Sequence, residues 1–210
     1  MAEQKTNRKA LKTRRLIRNA LAELLTKKEL KDITVQEIAD IADISRTTFY
    51  NYYYDVYDIY EQLEQTVLIE LGEMITEHGP KTTFDVYSVV FKYIKENPDV
   101  FKMIFSPNGK HTLYMKLKKM VEGLNQKLWA ESFGVKLNDK RLLYSIRYHS
   151  NGTLAIVADW VLNDFDQPEE FVIETLGDLD KNTQNYLISQ IGSKTSENRL
   201  YKCRGDRPGT

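Results

Sequence analysis

ITVQEIADIADISRTTFYNYYYDVYDIY, residues 33–60, decides how this chain is read. Thr34 precedes an apolar side made by Val35, Ile38 and Ala39 at helical spacing, and Glu37 follows it by three residues. This is the pattern of a capping box, in which a hydroxyl and a carboxylate satisfy free amides of the first helical turn. The helix is short and stops near Ala42. Ser45 is a second N-cap and opens another short helix that runs to about Tyr53. Ala39 is small where the two helices must cross closely, and Ile44 plugs the turn. A short helix, a turn and a second short helix form the layout that delivers a recognition helix to a major groove. Arg46, Thr47 and Thr48 occupy the first turn of the second helix, the end that enters the groove in such motifs. The fork of Arg46 suits guanine O6 and N7, and the threonines suit thymine methyls or phosphates.

Outward from this stretch almost everything reads as helix. Residues 8–27 place Leu16, Ile17, Ala20, Leu21, Leu24 and Leu25 on one face. A fourth helix starts near Asp55 or Asp58 and carries Ile59, Leu63, Val67 and Leu71 towards His78, before Gly79-Pro80 breaks it. Helices follow from about Thr83 to Glu96, from Asn97-Pro98 to Pro107, from about Lys110 to Glu131, and from a cap at Asn138 to about Asn163. Pro168-Glu169-Glu170 opens the ninth, with acidic residues where the helix dipole favours them. No strand pattern competes. The expectation is an all-α fold of about nine helices. Residues 1–54 form a three-helix helix-turn-helix domain and residues 55–192 a larger helical regulatory and dimerisation domain. Asn182–Ile191 reads as a further short helix, and the polar stretch 193–210 as a disordered tail.

Composition narrows the class. The 210 residues are 41% hydrophobic, which fits a globular chain. No run approaches the roughly 18–20 apolar residues of a membrane span. The N-terminus is polar, without the apolar stretch of a signal peptide. The single cysteine, Cys203, gives no disulfide framework, so a reducing cytoplasm is expected. The net charge of zero is unevenly spread. Residues 1–33 hold ten Lys and Arg against four Asp and Glu, a net of +6. Residues 1–54 hold eleven against seven, leaving 19 against 23 in the rest. A basic end suggests an anionic partner there, although a basic helix face is as often merely solvated. The same two readings stand for the arm Lys5, Arg8, Lys9 and Lys12, which either tracks DNA or is simply solvated.

Residues 11–60 resemble the DNA-binding domain of TetR-family regulators. The likeness rests on Thr34, Ile38 and Ala39 in the second helix and on Ser45, Thr48, Phe49-Tyr50 and Tyr52-Tyr53 in the third. It implies that Thr34 and Tyr50 contact phosphates. It also implies that Arg46, Thr47, Thr48 and Asn51 face base edges or nearby backbone, and that Phe49 and Tyr53 hold the third helix in place. With Ser45 and Tyr54, these make up the expected DNA-binding set. Two departures matter. Asp43 stands where the family usually has a turn glycine, which Asp tolerates in a left-handed conformation. Val56 stands where a phosphate-binding Lys is common, with Tyr54 and Tyr57 nearby. Of the six tyrosines between residues 50 and 60, Tyr53 and Tyr60 are read as packing, Tyr50 and Tyr54 as facing a DNA backbone.

Residues 97–117 and 148–176 are similar to the C-terminal domain of Firmicutes TetR-type proteins. That likeness implies a homodimer built on the last two long helices. Gly152 and Ala155 allow close approach, and Ile156, Trp160, Phe171, Val172, Thr175 and Leu176 supply surface. Intramolecular packing is the alternative for each. An effector pocket among the fifth to eighth helices would draw on Tyr87, Phe91, Phe105, Tyr114, Trp129, Tyr144, Tyr148 and His149, unless this aromatic stripe is simple core. The effector is a small molecule or a partner protein.

An enzyme is not expected. His78, His111 and His149 lie at no metal-ligand spacing, no Gly-rich phosphate loop occurs, and Cys203 has no partner base. Neither cofactor nor metal is implied. The expected function is a bacterial DNA-binding transcriptional regulator, a repressor that binds a palindromic double-stranded operator as a homodimer. The rival is a protein-binding adaptor or co-activator on the same scaffold, with DNA contact weakened or lost.

Overall fold

A computed structural model describes the backbone of residues 2–205 and the side chains of residues 8–190. Lys5 and Cys203 have side chains outside the described set. Among the described residues there are nine α-helices and no strand. The leading apolar stripe forms α1, Ala2–Leu25. A single 3-10 turn, Leu30–Asp32, leads to α2, Val35–Ile41, and α3, Arg46–Tyr50. The capping box at Thr34 is present, and Ser45 accepts the amide of Thr48. Asp43 takes the left-handed conformation (φ 52°) that lets α2 turn into α3. The third helix is shorter than the sequence suggests, because Asn51 caps its C-terminus and the chain passes into a turn at Asn51 and Tyr52.

The long α4, Val56–His78, starts under an Asp55 cap and ends at Gly79, whose φ of 54° an L side chain would resist. Then come α5, Thr83–Glu96, and α6, Pro98–Phe105, with Pro98 at the position where its missing amide is harmless. The body continues with α7, Thr112–Phe133, α8, Lys140–Leu162, and α9, Glu169–Gly205. Asp139, not Asn138, caps α8, accepting the amides of Arg141 and Leu142. The short helix expected at 182–191 is no separate element. The backbone of α9 runs through it and on to Gly205, past the point where a tail was expected to begin. No proline interrupts that stretch, and its Ser, Lys, Glu and Arg residues tolerate helix. Residues 206–210 lie outside the described set.

One apolar core runs from Ile17 and Leu21 on α1, through Phe49, Tyr53 and Ile59, to Phe91, Phe101, Trp160 and Leu176. A smaller cluster of Trp129, Ala130, Leu142, Ile146 and Leu187 closes the far end. Helix α1 packs on α2 and also on α6, so it belongs to both ends of the molecule. No described helix is long and apolar enough to cross a membrane.

Candidate nucleic-acid interface and internal cavity

The expected DNA-facing residues come together on an open surface. Thr34, Ser45, Arg46, Thr47, Tyr50, Asn51 and Tyr54 are exposed, and Thr48 is half-buried. Beneath them Phe49 and Tyr53 are buried, with Phe49 against the rings of Tyr50 and Tyr53. The apolar side of α3 therefore anchors it, leaving its first turn to solvent. Arg46 makes no ion pair or hydrogen bond among the described residues. Its guanidinium is free to engage an external acceptor. The Ser45 hydroxyl lies 2.9 Å from that of Thr48 and accepts its amide at 3.0 Å, so both side chains serve the cap.

Thr34 is more committed than its exposure suggests. Its hydroxyl donates to the Glu37 carboxylate at 2.9 Å and accepts the Glu37 amide at 3.3 Å. Lys28 pairs with the same carboxylate. The Lys28 ammonium, followed by the Thr34 amide and hydroxyl, holds the Glu37 carboxyl down at about 2. For Thr34 to donate to a phosphate, its hydroxyl must leave Glu37.

Arg14 of α1 braces α3 from behind. It donates to Gln62 at 2.6 Å and lies over the rings of Tyr52 and Tyr53. Val56 is buried at the start of α4, so that position offers nothing to a phosphate. Tyr54 beside it is 84% exposed, and Tyr57 is also exposed. Tyr60 is buried, as packing required, and reaches the carbonyl of Met103 at 3.4 Å.

The body encloses a cavity of about 70 Å³ between α4, α5, α6, α7 and α8. Of the expected pocket residues, Tyr87, Phe91, Phe105 and His149 line it. The other four do not. Tyr114 packs edge-on to Phe105, and Trp129 lies in the far cluster, its Nε1 donating to Thr83 at 3.0 Å. Tyr144 and Tyr148 are 67% and 77% exposed, on the outer side of α8. At helical spacing these two point away from the neighbours of His149 and Leu142, which the aromatic pattern alone did not reveal.

At one end of the cavity a buried polar group spans three helices. His149 Nδ1 is 2.6 Å from Asp180, the Tyr87 hydroxyl donates to Asp180 at 3.0 Å, and Thr153 lies 3.5 Å from that hydroxyl. Burial, with Asp180 beside it, pushes the Tyr87 phenol well up. Asp180 and Thr153 were not foreseen, because 93 residues separate Tyr87 from Asp180 and no local pattern links them. Asn125 also lines the cavity. It was legible in principle, as a polar residue inside the stripe Leu117, Val121, Leu124, Leu128.

The proposed dimer set divides. Gly152, Ala155 and Phe171 are exposed, and Ile156 and Thr175 half-buried. Trp160, Val172 and Leu176 are instead buried within the chain. Trp160 packs on Phe91 and Phe165 and donates to the Gln167 carbonyl at 2.8 Å, which leaves no face for a partner. Among the described residues the exposed apolar surface of α8 and α9 is carried by Tyr144, Tyr148, Leu162, Phe171, Leu179, Tyr186 and Ile188. An open groove between the two helices is lined by Tyr144, Tyr148, Ile156, Leu179 and Tyr186.

Comparison with known proteins agrees with this architecture. A family model described as a transcriptional regulator C-terminal region, of the TetR class, matches residues 81–182. No curated protein matches the sequence. A TetR-family transcriptional regulator from Streptomyces coelicolor is similar in structure, with 18% identity and a TM-score of 0.52, over 92% of this chain and 97% of that one. A dihydroxyacetone kinase operon activator, DhaS, also matches, at 17% identity and a TM-score of 0.47, over 84% of this chain and 96% of that one. The family match begins just before α5 and ends within α9, so these helices are similar to the C-terminal region of TetR-type transcriptional regulators, and they lie behind a helix-turn-helix carried by α2 and α3.

Proposed function

We propose that this regulator binds a palindromic DNA operator as a homodimer, reading bases with α3 and releasing the operator when a signal reaches the body. What supports DNA reading is the unpartnered Arg46 in the exposed first turn of α3, held from below by Phe49 and Tyr53. Thr47, Asn51, Tyr50 and Tyr54 flank it, and Thr34 joins once its hydroxyl turns from Glu37. The head comprises residues 1–54 and the body residues 55–192. Two heads sit on half-sites about 34–36 Å apart.

The second copy packs on the α8 and α9 face. In its favour are the exposed Tyr144, Tyr148, Phe171, Leu179 and Tyr186, and the open space around Gly152. Such a row on one side of a helix pair is unusual for a surface that stays in water.

Signal and head are coupled through α6 as well as through α4. Phe101 and Phe105 of α6 line the cavity, while Asp99 holds Arg18 of α1. The turn after α6 also grips α1, because Asn108 donates to the Leu25 carbonyl at 2.8 Å and accepts the Leu30 amide at 3.0 Å. A ligand that favours one position of α6 thereby favours one head separation. Loss of operator binding on signal makes the protein a repressor, acting in the cytoplasm.

A gel-shift with DNA from upstream of its own gene tests this. Retardation at low salt that yields to specific but not to random competitor is expected. No shift under those conditions would contradict it and favour an adaptor role.

A further inference from the structure

Asn125 lies on α7 one turn before Trp129, 2% exposed, with its side chain on the cavity wall. Among the described residues its amide makes no hydrogen bond. Leaving a buried amide unpaired is costly, and native interiors rarely do so without a use. The other polar groups on this wall have partners. Thr83 accepts from Trp129, Tyr87 donates to Asp180, and His149 is paired with the same carboxylate. The remaining lining is almost all hydrocarbon, from Leu71 and Ile75 to Leu154 and Val157, and among the described residues no Lys, Arg, Asp or Glu contributes to it.

This arrangement selects for charge. An ionised carboxylate or ammonium entering the cavity would lose its hydration, and the Asp180 carboxylate at its end is already engaged by Tyr87 and His149. A neutral head with both a donor and an acceptor would instead complete the Asn125 amide. Size is limited too. A cavity of about 70 Å³ is roughly half the ~150 Å³ space that takes up benzene. Met120 lines it and is half-buried, and its unbranched side chain gives the wall room to yield.

We propose that the cavity binds a small neutral molecule with an apolar body of a few carbons and one amide- or hydroxyl-type head, which exchanges hydrogen bonds with Asn125. The inference rests on the reading of the body as the signal-receiving part and names the chemical class of the signal.

The test uses four probes of one length on the full chain without DNA: pentanamide, 1-pentanol, pentanoate and pentylammonium. Binding is read by thermal shift and by tryptophan fluorescence, since Trp129 and Trp160 both neighbour the cavity wall. Saturable responses are expected from pentanamide and 1-pentanol and not from the two ions. Asn125→Leu should fold, melt higher than the parent because it removes an unpaired amide, and bind pentanamide at least about tenfold more weakly. Equal responses to the ions, no response to any probe, or unchanged pentanamide binding by Asn125→Leu would overturn the proposal. DNA retardation measured on the same preparations separates the two claims. A chain that shifts DNA but ignores pentanamide sinks only the ligand class, and one that binds pentanamide but no DNA sinks only the operator reading.

Discussion

The guanidinium of Arg18 on α1 lies 2.8 Å from the carboxylate of Asp99 in the first turn of α6, and Asp99 is almost wholly buried there. This pair joins the helix that packs on the helix-turn-helix to the helix that walls the cavity. Removing the guanidinium leaves a buried charge without its partner. Arg18→Ala should therefore destabilise the chain by about 3 kcal/mol, less whatever the α6 N-terminus recovers. Arg18→Met with Asp99→Leu should regain much of that in a denaturant titration while still loosening the link between ligand and DNA. Equal stability of Arg18→Ala and the parent would show that the pair does not hold α1 on α6.

Gly109, in the turn that grips α1, has no room for a side chain. A Cβ there would stand 2.5 Å from the Tyr60 hydroxyl and 2.9 Å from the Met103 carbonyl. Gly109→Ala should cost about 1–3 kcal/mol, as overpacking does. Adding Tyr60→Phe removes the nearer clash but not the backbone one. The double variant should recover part of the loss in thermal melts, and full recovery would place all the strain on Tyr60.

The carboxyl of Glu37 should titrate near 2 by NMR, well below an ordinary carboxylate. Its folded value is lowered, so its support for the α2 cap is present above the usual carboxylate range. That support is lost as pH falls towards 2. Lys28→Met should raise the midpoint. An unaltered midpoint would show that the Thr34 cap alone depresses it.

Tyr148 and Trp160 separate surface from core on α8. Tyr148→Glu should leave the melting temperature nearly unchanged while shifting sedimentation towards monomer. Trp160→Ala should cost about 3–5 kcal/mol through the cavity it leaves among Phe91, Phe165 and the α8–α9 turn. A parent chain that sediments only as monomer at micromolar concentration would contradict the dimer.

These contrasts mark where sequence reasoning succeeds and where it stops. Thr34 with Glu37 and the Ser45 cap act within one helical turn, so their spacing alone exposes them. Phe49 and Tyr53 stand on the inward side of a short motif and are legible for the same reason. Trp160 and Tyr148 are both aromatic and both on α8, yet one is core and the other surface. Which side of α8 is inward depends on how α6, α7 and α9 pack around it, which no pattern within α8 states. His149, Asp180 and Tyr87 meet only because three helices converge, and nothing local announces that. The α1–α6 link is likewise invisible, since Arg18 reads as one more basic residue in a basic segment.

Operator discrimination by Arg46 tests the central claim most directly. Fluorescence anisotropy on the DNA fragment retained in gel-shift, against a scrambled fragment at matched salt, should show Arg46→Ala losing about 1–3 kcal/mol, or about 5- to 150-fold, on the specific fragment. It should lose far less on the scrambled one. An equal loss on both would make Arg46 a phosphate contact, and no loss on either would contradict the account of α3 as the DNA-reading element.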